Sequence, residues 1–213
     1  MTDGPPAIGA VVLAAGGSSR LGGGTPKQLL AYGGRALVRR AAEAALAAAT
    51  APVVVVLGAR AEAVREALAG LPVRVVVNAA WAEGMSTSVA AGVRALLDAT
   101  ADGPALDGAL LTLADQPLVD AAALGALVRA FAERRTPIVA AEYGGVVGAP
   151  ALFARARLDA LLALPPGDRG AGALLRGAAA HELTRVPLAA AALDVDTPAD
   201  AAALLATPAE AGA

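Results

Sequence analysis

The sequence predicts an α/β fold in which a mostly parallel β-sheet is covered by helices on both faces. Two observations support this prediction. Short β-branched runs alternate with longer Ala- and Leu-rich stretches along the chain, which is the pattern of repeated βαβ units. The composition, 57% hydrophobic but only 2% aromatic, supplies a core that must consist mainly of Ala, Val and Leu. Because no linker or composition break divides the chain, we interpret residues 1–213 as one domain.

The predicted strands are near-continuous apolar runs, each bounded by Gly, Pro, Asp or Asn. Runs of this kind are typical of strands that are buried on both faces of a sheet. The predicted strands are 8–13, 53–57, 73–77, 109–113 and 137–141.

Between these strands, charged residues recur at spacings that leave an apolar stripe, as in amphipathic helices. The predicted helices are 36–49, 61–69, 88–97 and 121–134. Asp120 is predicted to cap the last of them. After Glu142 the pattern changes, because Gly and Pro cluster in 144–150 and 165–172. We predict that this later part forms a loop-rich cover over one edge of the sheet.

The composition excludes several kinds of functional site. Without Cys the chain has no disulfide, thiolate nucleophile or Cys-ligated metal, and with one His it has no multi-His metal site. Any bound metal is therefore expected to be a hard cation with oxygen ligands. With 17 Lys+Arg against 19 Asp+Glu and few aromatics, the chain is not expected to bind nucleic acid. The only Trp, Trp81, is predicted to anchor a loop against the sheet, and the only His, His181, to lie at the surface.

The apolar runs do not predict a membrane span. The richest stretch, 41–59, is interrupted by Glu43 and Pro52 and is not a clean apolar run of about 20 residues. The first run, 7–15, follows an acidic start, unlike the basic start of a signal peptide. We therefore expect a cytoplasmic protein with no membrane partner.

A glycine-rich segment follows the first predicted strand and extends from Ala14 to Lys27. Its small residues allow backbone N–H groups to approach phosphate oxygens closely. Its basic residues, Arg20 and Lys27, neutralise charge that backbone amides alone cannot. The segment is therefore predicted to bind phosphate groups, with Arg20 and Lys27 on a triphosphate.

Two common nucleotide-binding loops do not fit this segment. The dinucleotide pattern G-x-G-x-x-G matches it in no register, and no acidic residue follows strand 53–57 to hold a ribose. An NAD-dependent oxidoreductase is therefore disfavoured. For the Walker A loop, Gly17 and Gly22 have the required spacing, but Gly23 and Gly24 stand where Lys and Ser or Thr are needed.

The segment VVLAAGGSSRLGGGTPKQLLAYGGRALV resembles the signature of nucleotidyltransferases of the molybdenum cofactor cytidylyltransferase type and, more distantly, of methylerythritol phosphate cytidylyltransferase. Further segments follow in the order of the molybdopterin-type family: NAAWAEGMSTSVAAGVRAL, LLTLADQPLV, GGVVGAPALF, GDRGAGALL and LDVDTPADAAAL. Two features differ from that family. The gap between Arg20 and Lys27 is longer and closer to the methylerythritol type, and Ala149 stands where the family often has His.

The resemblance implies a Rossmann-like, mostly parallel sheet of the nucleotide-diphospho-sugar transferase type. It also implies transfer of a cytidylyl group from CTP to a phosphorylated small molecule such as molybdopterin, with release of pyrophosphate and dependence on Mg²⁺. The family feature that favours CTP over GTP is LAAG rather than LAGG. A molybdoenzyme, or the chaperone of one, is the implied protein partner.

The resemblance also assigns residues to this reaction. For the nucleotide it implies Leu13, Ala14, Ala15, Gly16, Gly17, Ser18, Arg20 and Lys27, with Lys27 and Arg20 as the catalytic residues. Downstream, Gly84 permits close approach and Ser88 contacts the pyrimidine edge, with Asn78 and Asp115 as further nucleotide-binding residues. The alternative for Ser88 is a helix N-cap. Asp168, in the GDRG segment, is assigned to the acceptor side.

A magnesium ion requires oxygen ligands, and open α/β sheets bind ligands at the carboxyl ends of their strands. Asp115 follows strand 109–113 almost directly and is the first predicted metal ligand. The resemblance implies a second ligand in the segment that contains Asp194 and Asp196, after which Pro198 opens a helix. We favour Asp196 because it lies nearest the turn. In the alternative, Asp194 is the ligand and Asp196 caps the last helix.

Two other functions stay open. The first is 2-C-methyl-D-erythritol 4-phosphate cytidylyltransferase, which the spacing from Arg20 to Lys27 favours and the ADQP and DVDTP segments oppose. The second is a non-catalytic, nucleotide-binding maturation factor for a molybdoenzyme. Such a factor would need Lys27 but not both Asp115 and Asp196, so the presence of both carboxylates favours catalysis.

Overall fold

The computed structural model describes residues 4–17, 25–49 and 51–206, with the backbone alone at 205 and 206. The strands are β1 (Ile8–Ala14), β2 (Ala31–Tyr32), β3 (Arg35–Ala36), β4 (Val53–Leu57), β5 (Arg74–Val77), β6 (Gly108–Leu113), β7 (Ile138–Tyr143), β8 (Val146–Ala154) and β9 (Leu183–Pro187). The helices are α1 (Leu37–Ala48), α2 (Ala61–Glu66), α3 (Met85–Ala99), α4 (Ala121–Arg134), α5 (Leu158–Leu162), α6 (Gly172–Gly177) and α7 (Pro198–Ala206).

Seven of these strands form one sheet in the order β5-β4-β1-β6-β8-β7-β9. Neighbouring strands are parallel except at β8, which runs antiparallel to both β6 and β7. The short strands β2 and β3 form a separate antiparallel pair. The prediction of an α/β fold with a mostly parallel sheet is confirmed.

The carboxyl ends of the central strands lie side by side. The register pairs Leu13 of β1 with Leu113 of β6, and Ala14 of β1 with Leu57 of β4. The segments that follow these strands therefore leave the sheet at the same end. In open α/β sheets this end is where ligands bind.

Helices cover both faces of the sheet, as predicted. Helices α1 and α4 pack on one face, and α3, α5 and α6 pack on the other. The side chains of β1 alternate between the two layers, so that Val12 packs in the first and Val11 in the second. Gly92 of α3 allows a close approach to β1, because an added Cβ would lie 2.3 Å from Cγ1 of Val11. Across the ranges that the structure describes, every helix is too short or too polar to cross a lipid bilayer.

Two predicted elements have the bounds that the structure shows. Predicted strand 53–57 is β4, and predicted helix 121–134 is α4. Asp120 caps α4, because its Oδ1 accepts the N–H of Ala123 at 2.8 Å. Helix α3 begins earlier than predicted, at Met85, and α2 is shorter than predicted, ending at Glu66.

The prediction that every strand is buried on both faces is wrong for β5. This strand lies at the edge of the sheet and pairs only with β4 among the described strands. Arg74 is exposed, and Val77 is 46% exposed. The β-branched run therefore predicted a strand correctly but did not indicate its place in the sheet.

The predicted loop-rich cover after Glu142 is also wrong, because β8 inserts into the sheet between β6 and β7. Gly144 and Gly145 have φ angles of 54° and 77° and form a two-residue turn between β7 and β8. Gly148 lies against the Tyr143 hydroxyl, where an added Cβ would come within 2.5 Å of the oxygen. These glycines thus belong to a tight β-hairpin rather than to a loop.

Candidate functional site

A cavity of about 270 Å³ lies at the carboxyl ends of β1 and β6. Its wall contains predicted site residues from distant parts of the chain: Leu13, Ala14, Ala15, Gly16, Gly17, Lys27, Gly84, Ser88, Asp115 and Asp168. The sequence did not indicate the rest of the wall: Gln28, Trp81, Ala82, Met85, Leu113 and Ala114. Asn78 and Asp196 contact residues of the wall. Ser18 and Arg20 lie outside the described residues.

Lys27 lies between two carboxylates at this cavity. Its Nζ is 2.5 Å from Oδ2 of Asp115 and 2.6 Å from Oδ1 of Asp196, so it donates a charged hydrogen bond to each carboxylate. Burial by itself would lower the pKa of Lys27, but the two carboxylates, first Asp115, outweigh it and raise this pKa above its usual 10.5. Lys27 is therefore fully charged at neutral pH.

Lys27 is also the only lysine in the sequence. Every other one of the 17 Lys and Arg residues is Arg. A lysine carries a compact charge with rotatable donors, whereas an arginine presents a planar fork. The only lysine of the sequence therefore stands at the position between the two carboxylates. This feature is visible in the sequence and indicates Lys27 independently of motif spacing.

The end of β6 and the segment before α7 are joined by their backbones. The N–H of Val195 donates to the carbonyl oxygen of Asp115 at 2.9 Å. Helix α7 then starts at a reciprocal cap, in which Oδ2 of Asp200 accepts the N–H of Thr197 at 2.7 Å and Oγ1 of Thr197 accepts the N–H of Asp200 at 3.2 Å. Thr197 thus provides the cap of α7. The alternative in which Asp196 caps this helix is therefore wrong, because the carboxylate of Asp196 bonds Lys27 instead.

Three acidic side chains share this small region. Burial, followed by the charges of Asp196 and Asp115, raises the pKa of Asp194 above its usual value. Oδ1 of Asp115 is buried and has no hydrogen-bond partner within the described part of the chain. A buried carboxylate oxygen of this kind is costly unless a donor or a cation meets it. In residues 4–17, 25–49 and 51–206, no group of three or more Asp, Glu, His or Cys side chains is arranged to hold a metal ion.

Gln28 fixes the start of the glycine-rich segment. Its buried Nε2 donates to the carbonyl oxygens of Ala14 at 3.1 Å and of Gly16 at 2.8 Å. These two bonds hold the backbone that lines the cavity in one position. Gln28 was not among the predicted site residues. The feature of the sequence that indicates it is a polar residue directly after Lys27 and before an apolar pair.

Asn78 organises the turn that precedes α3. Its Nδ2 donates to Oγ1 of Thr87 at 2.8 Å and to Oγ of Ser88 at 3.0 Å, and its Oδ1 accepts the N–H of Ala80 at 3.0 Å. Ser88 lies within the first turn of α3, whose N-cap position is Gly84, so the N-cap alternative for Ser88 is wrong. Asn78 therefore positions the Ser88 hydroxyl, which lies in the wall of the cavity.

The backbone of Gly84 lies in close contact with the backbone of Gly167. Its φ is 113°, and an added Cβ would lie 2.3 Å from the carbonyl carbon of Gly167. Next to this contact, the N–H of Ser86 donates to the carbonyl oxygen of Gly167 at 3.0 Å. The GDRG segment is therefore held against the start of α3, and Asp168 lies in the cavity wall as a result.

A second cavity, of about 170 Å³, adjoins the first and shares Leu13, Met85 and Leu113 with it. The second cavity is lined mainly by apolar residues, and Arg169 is the charged residue in its wall. Ala149 also lies in this wall. The GDRG segment therefore stands between the two cavities, with Asp168 in the wall of the first and Arg169 in the wall of the second.

Comparison with known proteins agrees with this geometry. Residues 10–186 match the family model of the MobA-like NTP transferase domain. The chain belongs to the MobA-like NTP transferase family. This family membership confirms the resemblance that the sequence motifs indicated. No curated protein sequence matches the chain.

Solved structures of similar proteins support this family assignment. Rv0371c from Mycobacterium tuberculosis H37Rv is 33% identical over 96% of this chain and 100% of that chain, with a TM-score of 0.78. A manganese complex of the same protein is 31% identical over 94% and 99% of the two chains, with a TM-score of 0.72. A nucleotidyl transfer enzyme from Methanothermobacter is 25% identical over 94% and 96%, with a TM-score of 0.75.

More distant structures share the fold alone. One is 4-diphosphocytidyl-2C-methyl-D-erythritol synthase from Anaerococcus prevotii, which is 13% identical over 95% of this chain and 96% of that chain, with a TM-score of 0.70. This MobA-like protein therefore has the Rossmann-like α/β fold of the nucleotide-diphospho-sugar transferase type, as predicted. Its family is one of nucleotidyltransferases.

Proposed function

We propose that this protein is a Mg²⁺-dependent cytidylyltransferase, which transfers the cytidylyl group of CTP to a phosphorylated small molecule such as molybdopterin. The observation that carries the proposal is the ammonium of Lys27 between the carboxylates of Asp115 and Asp196. Lys27 and Asp115 line the same cavity as Gly16 and Gly17, and Asp196 bonds Lys27. Nucleotidyl transfer needs these three elements together: positive charge, phosphate-binding backbone and carboxylates for a hard cation.

In the proposed reaction, an oxygen of the acceptor phosphate attacks the α-phosphorus of CTP. The bond between that phosphorus and the bridging oxygen of the leaving pyrophosphate breaks, and the bond to the acceptor oxygen forms. Negative charge therefore concentrates on the transferred and leaving phosphates. Lys27 and the backbone of the glycine-rich segment stabilise this charge, with Arg20 as a second cation from the same segment.

Asp115 and Asp196 fit a magnesium ion. Both offer oxygen donors, and Oδ1 of Asp115 is buried without a hydrogen-bond partner among the described residues. When bound, the ion would neutralise charge on the phosphates. The manganese complex of the Mycobacterium tuberculosis relative supports a divalent cation in this family. Asp194 contributes negative charge nearby, and Asp196 is the better candidate ligand because its carboxylate bonds Lys27 directly.

Lys27 is expected to exchange partners when nucleotide binds. Its ammonium bonds both carboxylates, and it lies in one cavity with the loop that would hold the triphosphate. The phosphates of CTP compete for this ammonium, because they carry more negative charge than a carboxylate pair. Movement of Lys27 onto a phosphate then frees oxygens of Asp115 and Asp196 for the cation.

Other residues of the cavity wall are proposed to contact the base of CTP or the acceptor. Ser88, held by Asn78, is the proposed contact for the pyrimidine edge. The choice of CTP rests on the LAAG segment, by resemblance to the family. Asp168 and the adjoining second cavity are assigned to the acceptor, and a molybdoenzyme or its chaperone in the cytoplasm is the proposed recipient of the product.

Thermal-shift measurements with CTP, GTP, ATP and UTP, each with and without Mg²⁺, test nucleotide binding. A ligand that binds only the folded protein, at about 100 times its Kd, stabilises it by about 2.7 kcal/mol. For a chain of this size that corresponds to a rise in Tm of roughly 5–10 °C. We expect the largest rise with CTP and Mg²⁺ together. The absence of a shift with every nucleotide would overturn the proposal.

Turnover is tested by pyrophosphate release, which should require acceptor, CTP and Mg²⁺ together. The second candidate, 2-C-methyl-D-erythritol 4-phosphate cytidylyltransferase, is favoured by the spacing from Arg20 to Lys27. Parallel assays with molybdopterin and with 2-C-methyl-D-erythritol 4-phosphate therefore distinguish the two enzymes. CTP binding without turnover on either acceptor would instead favour a non-catalytic maturation factor.

A further inference from the structure

Trp81 has a position that its predicted role as a loop anchor does not fully account for. The chain contains one Trp, two Tyr and two Phe, and Trp81 alone among them lines the first cavity. Tyr32, Phe131 and Phe153 are buried in the hydrophobic cores. Trp81 remains 36% exposed although it is the largest apolar side chain of the protein.

The indole is fixed on the protein side by close contacts with two glycines. A Cβ added to Gly17 would lie 3.0 Å from Cζ3 of Trp81, and one added to Gly58 would lie 2.6 Å from Cβ of Trp81. Its backbone is held by the carbonyl of Asn78, which accepts the N–H of Trp81 at 3.3 Å. The indole of Trp81 is therefore held in place beside the glycine-rich segment, and part of it is exposed to solvent.

The wall of the first cavity combines two kinds of side chain. The charged ones are Lys27, Asp115 and Asp168, and the others include Trp81 with the small apolar residues Ala15 and Ala82. A nucleoside triphosphate likewise combines charged phosphates with a base that is flat and apolar on its faces. An aromatic side chain commonly binds such a base by stacking.

We propose that Trp81 is a nucleoside-binding residue of this protein, which packs against the base while Lys27 and the glycine-rich backbone hold the phosphates. The proposal rests on the proposed function, since it requires a nucleotide in this cavity. Stacking of one base contributes about 10- to 100-fold to affinity. Because stacking tolerates every base, Trp81 raises the affinity for nucleotides in general, and other residues select cytosine.

The single Trp makes this inference directly measurable, because all indole fluorescence comes from Trp81. The titrants are CTP, cytidine and inorganic tripolyphosphate, and calorimetry records their binding independently. We expect CTP and cytidine to change the emission, whereas tripolyphosphate binds without a comparable change. CTP that binds in the calorimeter and leaves the emission unchanged would overturn the inference while the proposed function stands. Absence of nucleotide binding in the calorimeter would overturn both.

Variants separate stacking from support of the loop. Trp81→Phe keeps an aromatic ring, and Trp81→Leu keeps apolar packing against Gly17 and Gly58 without the ring. We expect CTP affinity near the wild-type value for Trp81→Phe and about 10-fold or more lower for Trp81→Leu, with tripolyphosphate affinity unchanged in both. An equal loss of CTP and tripolyphosphate affinity would show that Trp81 only supports the loop. Val146→Ala, at an exposed apolar residue of the β7–β8 hairpin, is the control for a general surface effect.

Discussion

The first half of the sheet (β5, β4, β1 and β6, all parallel) and the second half (β8, β7 and β9) contribute residues to the site in different ways. The parallel strands β1 and β6 place residues there directly at their carboxyl ends, namely Gly16 after β1 and Asp115 after β6. On the other side of β6 lie β8, β7 and β9, and two irregular segments, one between β8 and β9 and one after β9, contact the site. These segments carry Asp168 and Asp196. The first half therefore positions its residues by strand register, and the second half positions them by docking.

Each docked segment is held to the first half by a backbone hydrogen bond. The carbonyl of Gly167 accepts the N–H of Ser86, and the N–H of Val195 donates to the carbonyl of Asp115. The proposed nucleotide side of the site thus lies within the parallel half. The docked segments add a carboxylate to the Lys27 cluster and carry Asp168, which is proposed to face the acceptor. We therefore expect changes in the two halves to have different consequences.

The largest expected difference comes from the two carboxylates around Lys27. Asp115→Asn should lower kcat about 100- to 1000-fold, as expected for loss of an electrostatic contact in the transition state. Asp196→Asn should lower kcat less, by about 10-fold, because its side chain is 36% exposed against 19% for Asp115 and water can replace part of its contribution. The measurement is pyrophosphate release at saturating CTP and acceptor.

Asp120→Asn is the matched control, because Asn caps helices as well as Asp and Asp120 lies at the start of α4, where it caps the helix. Its kcat should equal that of the wild type. Turnover that survives in Asp115→Asn would contradict the metal assignment. A larger loss for Asp196→Asn than for Asp115→Asn would reverse the order of importance of the two halves.

A second test disrupts the docking contact itself. Gly84→Ala places a Cβ within 2.3 Å of Gly167 and forces a residue with a side chain to a φ of 113°. We expect a loss of about 2–4 kcal/mol in the free energy of unfolding, from backbone strain and overpacking together. Chemical denaturation measures this loss, and a rise in KM for CTP and acceptor should accompany it.

Gly70→Ala is the control, because Gly70 has a φ of 79° but no atom within 4 Å of its added Cβ. It carries the backbone strain without the close contact, so a loss of roughly 1–2 kcal/mol is expected. Equal losses in the two variants would mean that the contact between Gly84 and Gly167 contributes nothing. The difference between them reports the close contact with Gly167 together with the more restrictive backbone conformation of Gly84, at φ 113° and ψ 168°.

Sequence patterns predicted the first half better than the second, for a physical reason. Asp115 could be predicted because a buried apolar run ends at Leu113 and ligands bind at the ends of parallel strands. Strand β8 could not be placed by the same reasoning, because antiparallel insertion depends on its pairing with β6 and β7. The adjacent glycines Gly144 and Gly145, between β-branched runs, were the available hairpin signal.

The site itself was predicted as a set of residue types more readily than as a set of contacts. Lys27 was predicted to meet phosphate and Asp115 to meet metal. The structure adds that they bond each other, although they are 88 residues apart in sequence, and that Lys27 also bonds Asp196, 169 residues away. Such pairs depend on tertiary packing, which periodicity does not encode. Trp81 and Gln28 were missed as cavity residues for the same reason.

A third test concerns the Lys27 cluster, where the two halves meet. Lys27→Met removes the ammonium that occupies Asp115 and Asp196 and keeps a side chain of similar length. The variant should bind Mn²⁺ about 10-fold more tightly in the absence of nucleotide, since one charged hydrogen-bonding competitor of about 1.5–3 kcal/mol is lost. Electron paramagnetic resonance of free Mn²⁺ measures this affinity without turnover.

The same variant should bind CTP more weakly, because Lys27 no longer reaches the phosphates. Lys27→Arg is the control, since it keeps a positive charge near the carboxylates and should not gain Mn²⁺ affinity. If Lys27→Met binds Mn²⁺ no better than the wild type, then Lys27 does not compete with the cation. In that case the carboxylates of Asp115 and Asp196 would bind only Lys27 and not the cation.

The smallest expected effect is a pH dependence at the junction that presents Asp196. Hydrogen bonds from the side chain and backbone of Thr197, and then from the backbone of Asp196, lower the pKa of Asp200 below its usual 3.8. The folded-state pKa thus lies below that of the unfolded chain. The ionised carboxylate therefore stabilises the fold fully above the unfolded pKa, and this contribution is lost as pH falls through the folded value.

Asp200→Asn removes this contribution, so the Tm difference between wild type and variant should shrink as pH falls from about 6 to about 2.5. The effect should be small, because Asp200 is only partly buried and the variant changes only its bonds at the start of α7. Asp159→Asn, at an exposed position of α5, removes one carboxylate away from this junction and is the control for the change in net charge. A Tm difference that stays constant with pH would mean that the cap at Thr197 holds without the charge of Asp200. The docking of the second half would then rest on its backbone bond to Asp115 and on the packing of Val195.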